Sequence, residues 1–286
     1  MRRITLIVAL LLTWLFACSF SRAAFAWGTE GHSIIAEIAQ RRLSPAATDA
    51  VAQLLGRGHS LASISSWPDD IRDERPTTFN WHFVDIPLAV HAYDPARDCK
   101  DDKASGDCVI AELARVKRDL RCADGDVAKI EALKFAVHFV GDVHQPLHTV
   151  LEKRGGNDFK IDVFMRGMTC LGTCVTQRVS TDLHTVWDTT LITRSVWNWG
   201  SYVDRLEDGW LKDNPDAAGD GSPESWAVAT HAAAEEVWNA VPADMTLNDD
   251  YFRHVQPVLD RQLGLAGLRL ATFLNEAYAG TECAGR

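Results

Sequence analysis

The chain has 286 residues, 47% of them hydrophobic, and a formal net charge of −10 at pH 7. This length and apolar content suit a folded domain with a substantial core, which excludes a disordered chain. A protein with this negative net charge has no general attraction for nucleic acid or anionic membranes. A polyanionic substrate would therefore need local positive charge, such as a bound divalent metal.

The N-terminal segment has the pattern of a secretory signal peptide. Arg2 and Arg3 precede an apolar run over residues 4–20, and the small-x-small cleavage signal Ala24-Phe25-Ala26 follows it. We therefore predict that residues 1–26 are a signal peptide, that the mature chain begins at Trp27, and that the protein is secreted or periplasmic. Because the leader carries three arginines and no acid, its removal would change the net charge from −10 to −13.

A lipid anchor at Cys18 is the alternative to simple cleavage, because Leu15-Phe16-Ala17-Cys18 is a loose lipid-attachment pattern. It ranks second, since Phe16 suits that pattern poorly and residues 24–26 suit ordinary cleavage well. No later segment has about 18 uninterrupted apolar residues, so the sequence predicts no membrane span.

Helical patterning dominates the rest of the chain, and we predict a mainly α-helical single domain over residues 27–286 with one small β-hairpin. Ser44 followed by Pro45 is a helix cap with a first-turn proline, and Gly280 marks a helix end. The predicted helices cover residues 29–43, 44–56, 108–121, 126–145, 183–191, 202–211, 223–241 and 249–279.

The β-hairpin is predicted between Phe159 and Val179, where residues alternate in character, with Cys170 and Cys174 at its tip. Six of the seven cysteines lie beyond residue 26, an even number in an exported chain, so three disulfides are expected. Cys99 with Cys108 is the predicted pair because the loop between them is short. The other pairings stay open.

Residues 133–148, LKFAVHFVGDVHQPLH, carry the densest group of candidate metal ligands. His138 and Asp142 are four residues apart and would lie one turn apart on one helix face. Pro146 would end that helix and bring His148 back toward them. Zinc binds imidazole nitrogen and carboxylate oxygen, so the pattern predicts a zinc site.

Taken alone, a His-x-x-x-Asp pair is more often an ordinary helix-supporting pair, by roughly three to one. The spacing occurs twice in this chain, however, at His138 with Asp142 and at His184 with Asp188. The joint pattern favours a metal site. The candidate ligands are His32, Asp69, His82, His138, Asp142, His148, His184 and Asp188.

Six motifs follow one another from Trp27 to about Thr190: WGTEGH, SSWPDDIR, WHFVDIP, LKFAVHFVGDVHQPLH, GGND and DLHTVWDT. In this order they resemble the zinc-dependent, single-strand-specific nucleases of the fungal P1 and S1 type. The resemblance implies a helical fold similar to that of zinc phospholipase C, and three zinc ions as cofactors. It also implies hydrolysis of single-stranded DNA and RNA to 5′-phosphorylated nucleotides, with 3′-nucleotidase activity.

The resemblance further implies which residues hold each ion. Trp27, through its amino nitrogen and carbonyl oxygen, would bind one zinc together with His32. Asp142 would bridge that ion to a second one. The second ion would also be held by Asp69, His82 and His138, and the third by His148, His184 and Asp188.

Catalytic and substrate roles follow from the same resemblance. Asp69 and Asp142 would be catalytic through the metals, and Arg72 would be catalytic and would clamp the phosphate. Phe83 and Asp85 would stack on and hydrogen-bond a base. Read without the resemblance, Arg72 could equally be an exposed helix-end charge, Phe83 a core residue and Asp85 a turn residue.

Two other functions stay open at this stage. Bacterial zinc phospholipase C is similar in fold and metals, but its last ligand pair is His-x-x-x-Glu, where this chain has His184 and Asp188. A non-catalytic secreted zinc-binding protein would need no open coordination site. We expect a monomer without a stable protein partner, with single-stranded DNA, RNA and mononucleotides as substrates. The long segment between His148 and His184 is expected to alter the rim of the cleft.

Overall fold

The computed structural model describes residues 27–166, 176–196, 198–280 and 283. These residues form a mainly helical fold with one three-stranded sheet, so the predicted fold class is confirmed. The signal peptide predicted for residues 1–26 lies outside the described residues and stays a prediction. Among the helices of the described chain, none is both long enough and apolar enough to cross a membrane.

The described chain has twelve α-helices. The helices are α1 (Thr29–Gln40), α2 (Pro45–Leu55), α3 (Trp67–Asp70), α4 (Pro95–Asp98), α5 (Val109–Cys122), α6 (Gly125–Asp142), α7 (Leu183–Thr185), α8 (Leu191–Ser195), α9 (Trp199–Asp208), α10 (Trp210–Asp213), α11 (Pro223–Asn239) and α12 (Asp249–Ala279). The described chain also has 3-10 turns at Leu61–Ile64, Pro76–His82 and Pro146–Thr149, and a π-helical turn at Val186–Thr190.

Helix caps explain why several predicted bounds are right. The Ser44 hydroxyl accepts a hydrogen bond from the Ala47 amide at the start of α2, and Gly56 follows its last residue. The last helix covers residues 249–279 as predicted, with the Asn248 side chain accepting from the first free amides. The helices predicted over 29–43, 108–121 and 223–241 differ from the observed α1, α5 and α11 by one to three residues at their ends.

The helix predicted over residues 126–145 ends three residues early, at Asp142. Gln145 precedes Pro146, and proline excludes α-helical backbone from the residue before it. Gln145 is therefore extended, and its side chain accepts a hydrogen bond from the Leu147 amide to start the 3-10 turn. The chain reverses over three residues, which brings His148 back beside the helix end.

Two further predicted helices are interrupted. The segment 183–191 is not one α-helix, because a π-helical turn at Val186–Thr190 separates α7 from α8. The helix predicted over 202–211 starts earlier, at Trp199, and breaks at Gly209, whose backbone (φ −114°, ψ −105°) lies outside the helical region.

The hairpin consists of β1 (Lys160–Arg166) and β2 (Thr176–Asp182), which pair antiparallel from Lys160 with Asp182 to Arg166 with Thr176. The predicted tip with Cys170 and Cys174 lies outside the described residues. A two-residue strand, β3 (Thr246–Leu247), pairs parallel with β1. The sequence did not predict β3, because two residues are too short for a periodic pattern.

The core lies between the long helices. The last helix packs along α1, α6, α2 and α5, and α5 packs on α6. The ligand-bearing helices α1 and α6 are thus carried inside the protein, and eight of the last ten residues of α6 form one run of buried positions. Burial on this scale stabilises the elements that hold the candidate metal ligands.

Two disulfides occur among the described residues. Cys99 is bonded to Cys108, as predicted from the short loop. Cys122 at the end of α5 is bonded to Cys283, a pairing that the sequence left open. Cys170 and Cys174 lie outside the described residues, so the third predicted disulfide stays a prediction.

Candidate metal centre

A cleft of about 570 Å³ opens beside Lys160 and Asp182, the paired ends of the hairpin, and its volume is typical of small-ligand sites. Three buried histidines, His82, His148 and His184, reach the cleft. We call the buried candidate ligands the floor: His32, Asp69, His82, His138, Asp142, His148, His184 and Asp188. We call the side chains around the opening the rim: Arg72, Phe79, Phe83, Asp85, Arg154 and Lys160.

The eight floor side chains, all predicted as ligands, are buried and lie in three groups. In each group the candidate ligand atoms lie within 4.8 Å of one another. The first two groups share one histidine. The groups are His32, His138 and Asp142; Asp69, His82 and His138; and His148, His184 and Asp188.

Helix α6 sets the first two groups. His138 and Asp142 lie one turn apart, with His138 Nε2 3.2 Å from Asp142 Oδ2. Helix α1 approaches this turn closely at Gly141, where an added Cβ would lie 2.8 Å from Nδ1 of His32. Glycine at 141 therefore lets His32 reach Asp142.

Asp142 turns its two oxygens toward different histidines. Its Oδ1 lies 3.4 Å from His32 Nε2, whereas its Oδ2 lies 3.0 Å from His82 Nδ1. A carboxylate that bridges two metal ions uses its oxygens in this way, so the arrangement is suited to a bridge. Asp69 completes the second group, with Oδ1 3.5 Å from His82 Nδ1 and 3.6 Å from His138 Nε2.

The third group stands on segments that follow α6 and β2. The rings of His148 and His184 stack with centroids 5.0 Å apart, and His184 Nε2 lies 3.4 Å from Asp188 Oδ2. Gln145 donates a hydrogen bond of 2.6 Å to the other oxygen of Asp188. The sequence reading assigned Gln145 no role. Its only signal was its place in the HQPLH motif between two candidate ligands.

Backbone carbonyls orient three of the floor histidines. Nδ1 of His138 is 2.7 Å from the Ser65 carbonyl, Nδ1 of His148 is 2.7 Å from the His82 carbonyl, and Nδ1 of His184 is 2.6 Å from the Gly155 carbonyl. Since a carbonyl only accepts, each Nδ1 donates, so in the neutral ring Nε2 keeps a free lone pair. This is the usual outer support of a metal-binding histidine.

Several buried polar atoms of the floor make no hydrogen bond within the described chain. They include both ring nitrogens of His32, Oδ1 of Asp142 and Oδ2 of Asp188. Unpaired buried carboxylate oxygens are costly unless a cation accompanies them. Burial raises the pKa of Asp188 well above its usual range, so a negative charge at this position would need a compensating cation. The donor set of imidazoles and carboxylates fits zinc.

The protonation states point the same way. Burial lowers the pKa of His82 and His148 to about 4 and that of His184 to about 3, so these rings are neutral at pH 7, as metal ligands must be. Burial also acts on His138, but Asp142 and then Asp69 outweigh it and raise its pKa to about 10. A proton on His138 balances these carboxylates, a role that a divalent cation can take over.

Trp27 starts the described chain and is fully buried next to the floor. Its indole nitrogen donates to the Gly141 carbonyl at 2.9 Å, and the amide of Gly28 donates to the Asp188 carbonyl at 2.8 Å. These two hydrogen bonds hold Trp27 between Gly141, the residue before Asp142, and Asp188. This is where a ligating N-terminus would have to lie.

A strained turn borders the third group. Lys153, Arg154, Gly155 and Gly156 all have positive φ, at 48°, 53°, 61° and 87°. The left-handed conformation costs a non-glycine residue about 1–2 kcal/mol. The turn places the Gly155 carbonyl on His184, and a Cβ at Gly155 would lie 2.5 Å from the Leu147 carbonyl oxygen. The strain is thus concentrated where the floor meets the rim.

The predicted substrate residues lie together at the rim. Arg72 is mostly buried rather than an exposed helix-end charge, and its Nη1 lies 3.4 Å from Asp69 Oδ1. Phe83 is half-buried and lines the cleft, as does Asp85, whose pKa is raised to about 6 by burial and by Asp98. Asn157, which follows Gly155 and Gly156, also lines the cleft.

Two further buried histidines, His144 and His231, lie outside the three ligand groups. Nδ1 of His144 donates to the Val140 carbonyl at 2.7 Å, and its Nε2 accepts from Arg269 at 2.9 Å. Nδ1 of His231 donates to the Thr149 carbonyl at 2.7 Å. Both ring nitrogens of His144 are therefore occupied, whereas His231 has one structural hydrogen bond and belongs to none of the three ligand groups.

Comparison with known proteins identifies the family. Residues 27–279 match the family model described as S1/P1 Nuclease. Endonuclease 2 of Arabidopsis thaliana is 29% identical over 277 residues, covering 88% of this chain and 90% of its own length. Nuclease S1 of Aspergillus oryzae is 27% identical, covering 90% and 93%, and nuclease P1 of Penicillium citrinum is 29% identical, covering 90% and 100%. The chain belongs to the S1/P1 nuclease family and is a nuclease-type hydrolase.

Proposed function

We propose that this protein is a secreted zinc phosphodiesterase that hydrolyses single-stranded DNA and RNA to 5′-phosphorylated nucleotides and also has 3′-nucleotidase activity. The observation that supports this most strongly is the floor itself. Three buried groups of histidine and aspartate lie side by side, and two of them reach a cleft whose walls carry basic, acidic and aromatic side chains. A non-catalytic zinc protein would have no need of such an opening.

The three groups would hold three zinc ions. His32 and Asp142 would bind the first together with the amino nitrogen and carbonyl oxygen of Trp27. Asp142 would bridge to the second, and the remaining floor residues would take the roles given by their grouping. The second ion would be held by Asp69, His82 and His138 together with Asp142, and the third by His148, His184 and Asp188.

Zinc bound at the floor would offset the charge of a phosphodiester and make water acidic enough to act as a nucleophile near neutral pH. The side chains of the protein supply the rest. Arg72, held against Asp69, would clamp a phosphate oxygen. Arg154 and Lys160, whose exposed side chains line the cleft, would contact neighbouring phosphates. No side-chain nucleophile is required.

The rim supports a preference for unpaired bases. A base can stack on the half-buried ring of Phe83 only after it has left the double helix. Asp85 would hydrogen-bond the edge of the same base. Stacking accepts any base, so little sequence preference is expected, and the duplex is disfavoured because its bases are already stacked.

The mature protein would be one nuclease domain over residues 27–286 after removal of residues 1–26, and a monomer. Secretion or export to the periplasm is consistent with the two disulfides of the described chain. Export also matters chemically, because only cleavage before Trp27 would free its amino group as a ligand.

One assay distinguishes the proposal from its rivals. The purified mature protein is tested for release of acid-soluble nucleotides from denatured DNA, RNA and duplex DNA, and for choline phosphate release from phosphatidylcholine. We expect release from the denatured DNA and RNA that far exceeds release from the duplex, and none from the lipid. Choline phosphate release would support phospholipase C, and no hydrolysis at all would support a non-catalytic zinc protein.

A further inference from the structure

The rim contains an aromatic ring with no role in the function proposed above. Phe79 lines the cleft with 43% of its surface exposed, although an apolar ring of this size gains free energy by being covered. Its ring centroid lies 6.0 Å from that of Phe83. The two phenylalanines form a continuous aromatic surface at the opening.

The local backbone explains why Phe79 faces the cleft. It lies in the 3-10 turn Pro76–His82, where residues three apart lie on the same side, so Phe79 stands one turn from His82. The residues between them anchor the turn. Asn80 donates to the Ser105 hydroxyl and to the Gly106 carbonyl, each at 3.1 Å, and Trp81 packs edge-on against Phe135. These contacts fix the turn that carries Phe79.

The geometry distinguishes Phe79 from Phe83 as a stacking surface. The two ring planes make an angle of 82°, so one flat base cannot lie face-on against both. The guanidinium carbon of Arg72 lies 4.8 Å from the centre of the Phe79 ring. A base stacked on Phe79 would thus contact the same ring as Arg72, the residue proposed to clamp the phosphate.

We propose that Phe79 is a second base-stacking residue that holds the nucleotide next to the one bound at Phe83, so that the cleft binds at least two consecutive unpaired bases. The inference rests on the proposed nuclease function and deepens it. If Phe79 binds a second base, a short single-stranded oligonucleotide would make more contacts with the rim than a mononucleotide.

The experiment uses the zinc-loaded mature protein and a five-residue oligothymidylate in which one nucleotide at a time is abasic, with cleavage of each bond quantified. In the wild type, removing the base that contacts Phe79 should lower kcat/KM about fivefold or more, within the range of base stacking on aromatic rings. In Phe79→Ala the intact oligonucleotide should show the same loss, and the abasic substitution at that position should cost less than about twofold.

Three further variants sharpen the test. Phe79→Tyr keeps the aromatic face and should keep the abasic penalty, whereas Phe79→Leu keeps apolar bulk and should lose it. Phe164→Ala is the matched control, since Phe164 on β1 is also 43% exposed but does not line the cleft. It should behave as the wild type on every substrate.

Each other outcome would overturn the inference. If Phe79→Ala lowered cleavage of the intact and all abasic substrates by one common factor, Phe79 would merely position Arg72. If it changed nothing, the ring would have no part in substrate binding. These results leave the nuclease function intact, whereas a wild-type protein that cleaves no oligonucleotide would remove the proposed function and this inference with it.

Discussion

The floor and the rim of the cleft are built in different ways. The floor consists of buried side chains whose ring nitrogens and carboxylates are fixed by helix spacing and by backbone carbonyls. The rim consists of partly exposed side chains on one 3-10 turn, on loops, on a strained turn and at a strand end. The floor can therefore place metal ions within narrow limits, while the rim can vary between relatives and change which substrate fits.

The largest effect is expected at the centre of the floor. Asp142→Asn should lower kcat/KM by more than about 100-fold, because this carboxylate faces two ligand groups. The loss of a residue that only supports a metal ligand typically costs up to about 100-fold. Asp188→Asn is the matched comparison, since it touches one group. Steady-state kinetics with zinc analysis of both variants checks the difference. Equal and mild losses would argue against a bridge.

The next effect tests the N-terminal ligand. A protein with one extra residue before Trp27 should lose about one zinc per molecule and most of its activity, because its amino group would no longer lie at the floor. The mature protein made in the same host and cleaved directly before Trp27 is the control. A fully active extended form with undiminished zinc would contradict the N-terminal ligand.

An outer support of the floor should have a smaller effect. Gln145→Ala removes the hydrogen bond to Asp188 and should weaken zinc binding at the third group about 10- to 100-fold. Competition with a chelator of known affinity measures this. Gln262→Ala removes another buried amide, one that donates to the His144 carbonyl, and should cost stability but not zinc affinity. Equal zinc affinities in both variants would count against a role for Gln145.

The smallest effect is expected at the rim and depends on pH. Burial, with a contribution from Asp98, raises the pKa of Asp85 to about 6, so the folded state holds more protons than the unfolded state from about pH 4 to pH 6. Stability is therefore lost as the pH rises through this window. In the zinc-free protein, Asp85→Asn should gain roughly 1–3 kcal/mol relative to wild type between pH 4 and pH 7. Denaturant unfolding at both pH values measures this, and a pH-independent difference would refute it.

Sequence reasoning predicted the floor better than the rim. Helical spacing predicted that His138 and Asp142 lie together, and the family resemblance assigned His32, Asp69 and His82, which come from separate elements, to the same two metal ions. Gln145 was missed because a glutamine beside a proline has no distinctive pattern. Phe79 was missed because an exposed aromatic residue cannot be told from a core residue by sequence alone.

The secondary structure was also predicted better in some regions than in others. Long helices with clear caps, such as α2 and α12, were predicted closely. The errors fell where a regular helix is interrupted. These are the end of α6 before Gln145, the π-helical turn that carries Asp188, and the break at Gly209. Two of these three irregularities lie at the floor, where the backbone departs from a regular helix to aim ligands.

The central claim is that three metal ions bind the floor and that hydrolysis depends on them. Elemental analysis of the correctly processed protein, purified from the periplasm or medium without added metal, tests it most directly when joined to an assay on denatured DNA before and after chelation. The account predicts three zinc ions per molecule and loss of hydrolysis on their removal. Far fewer than three ions, or hydrolysis that survives the chelator, would contradict it.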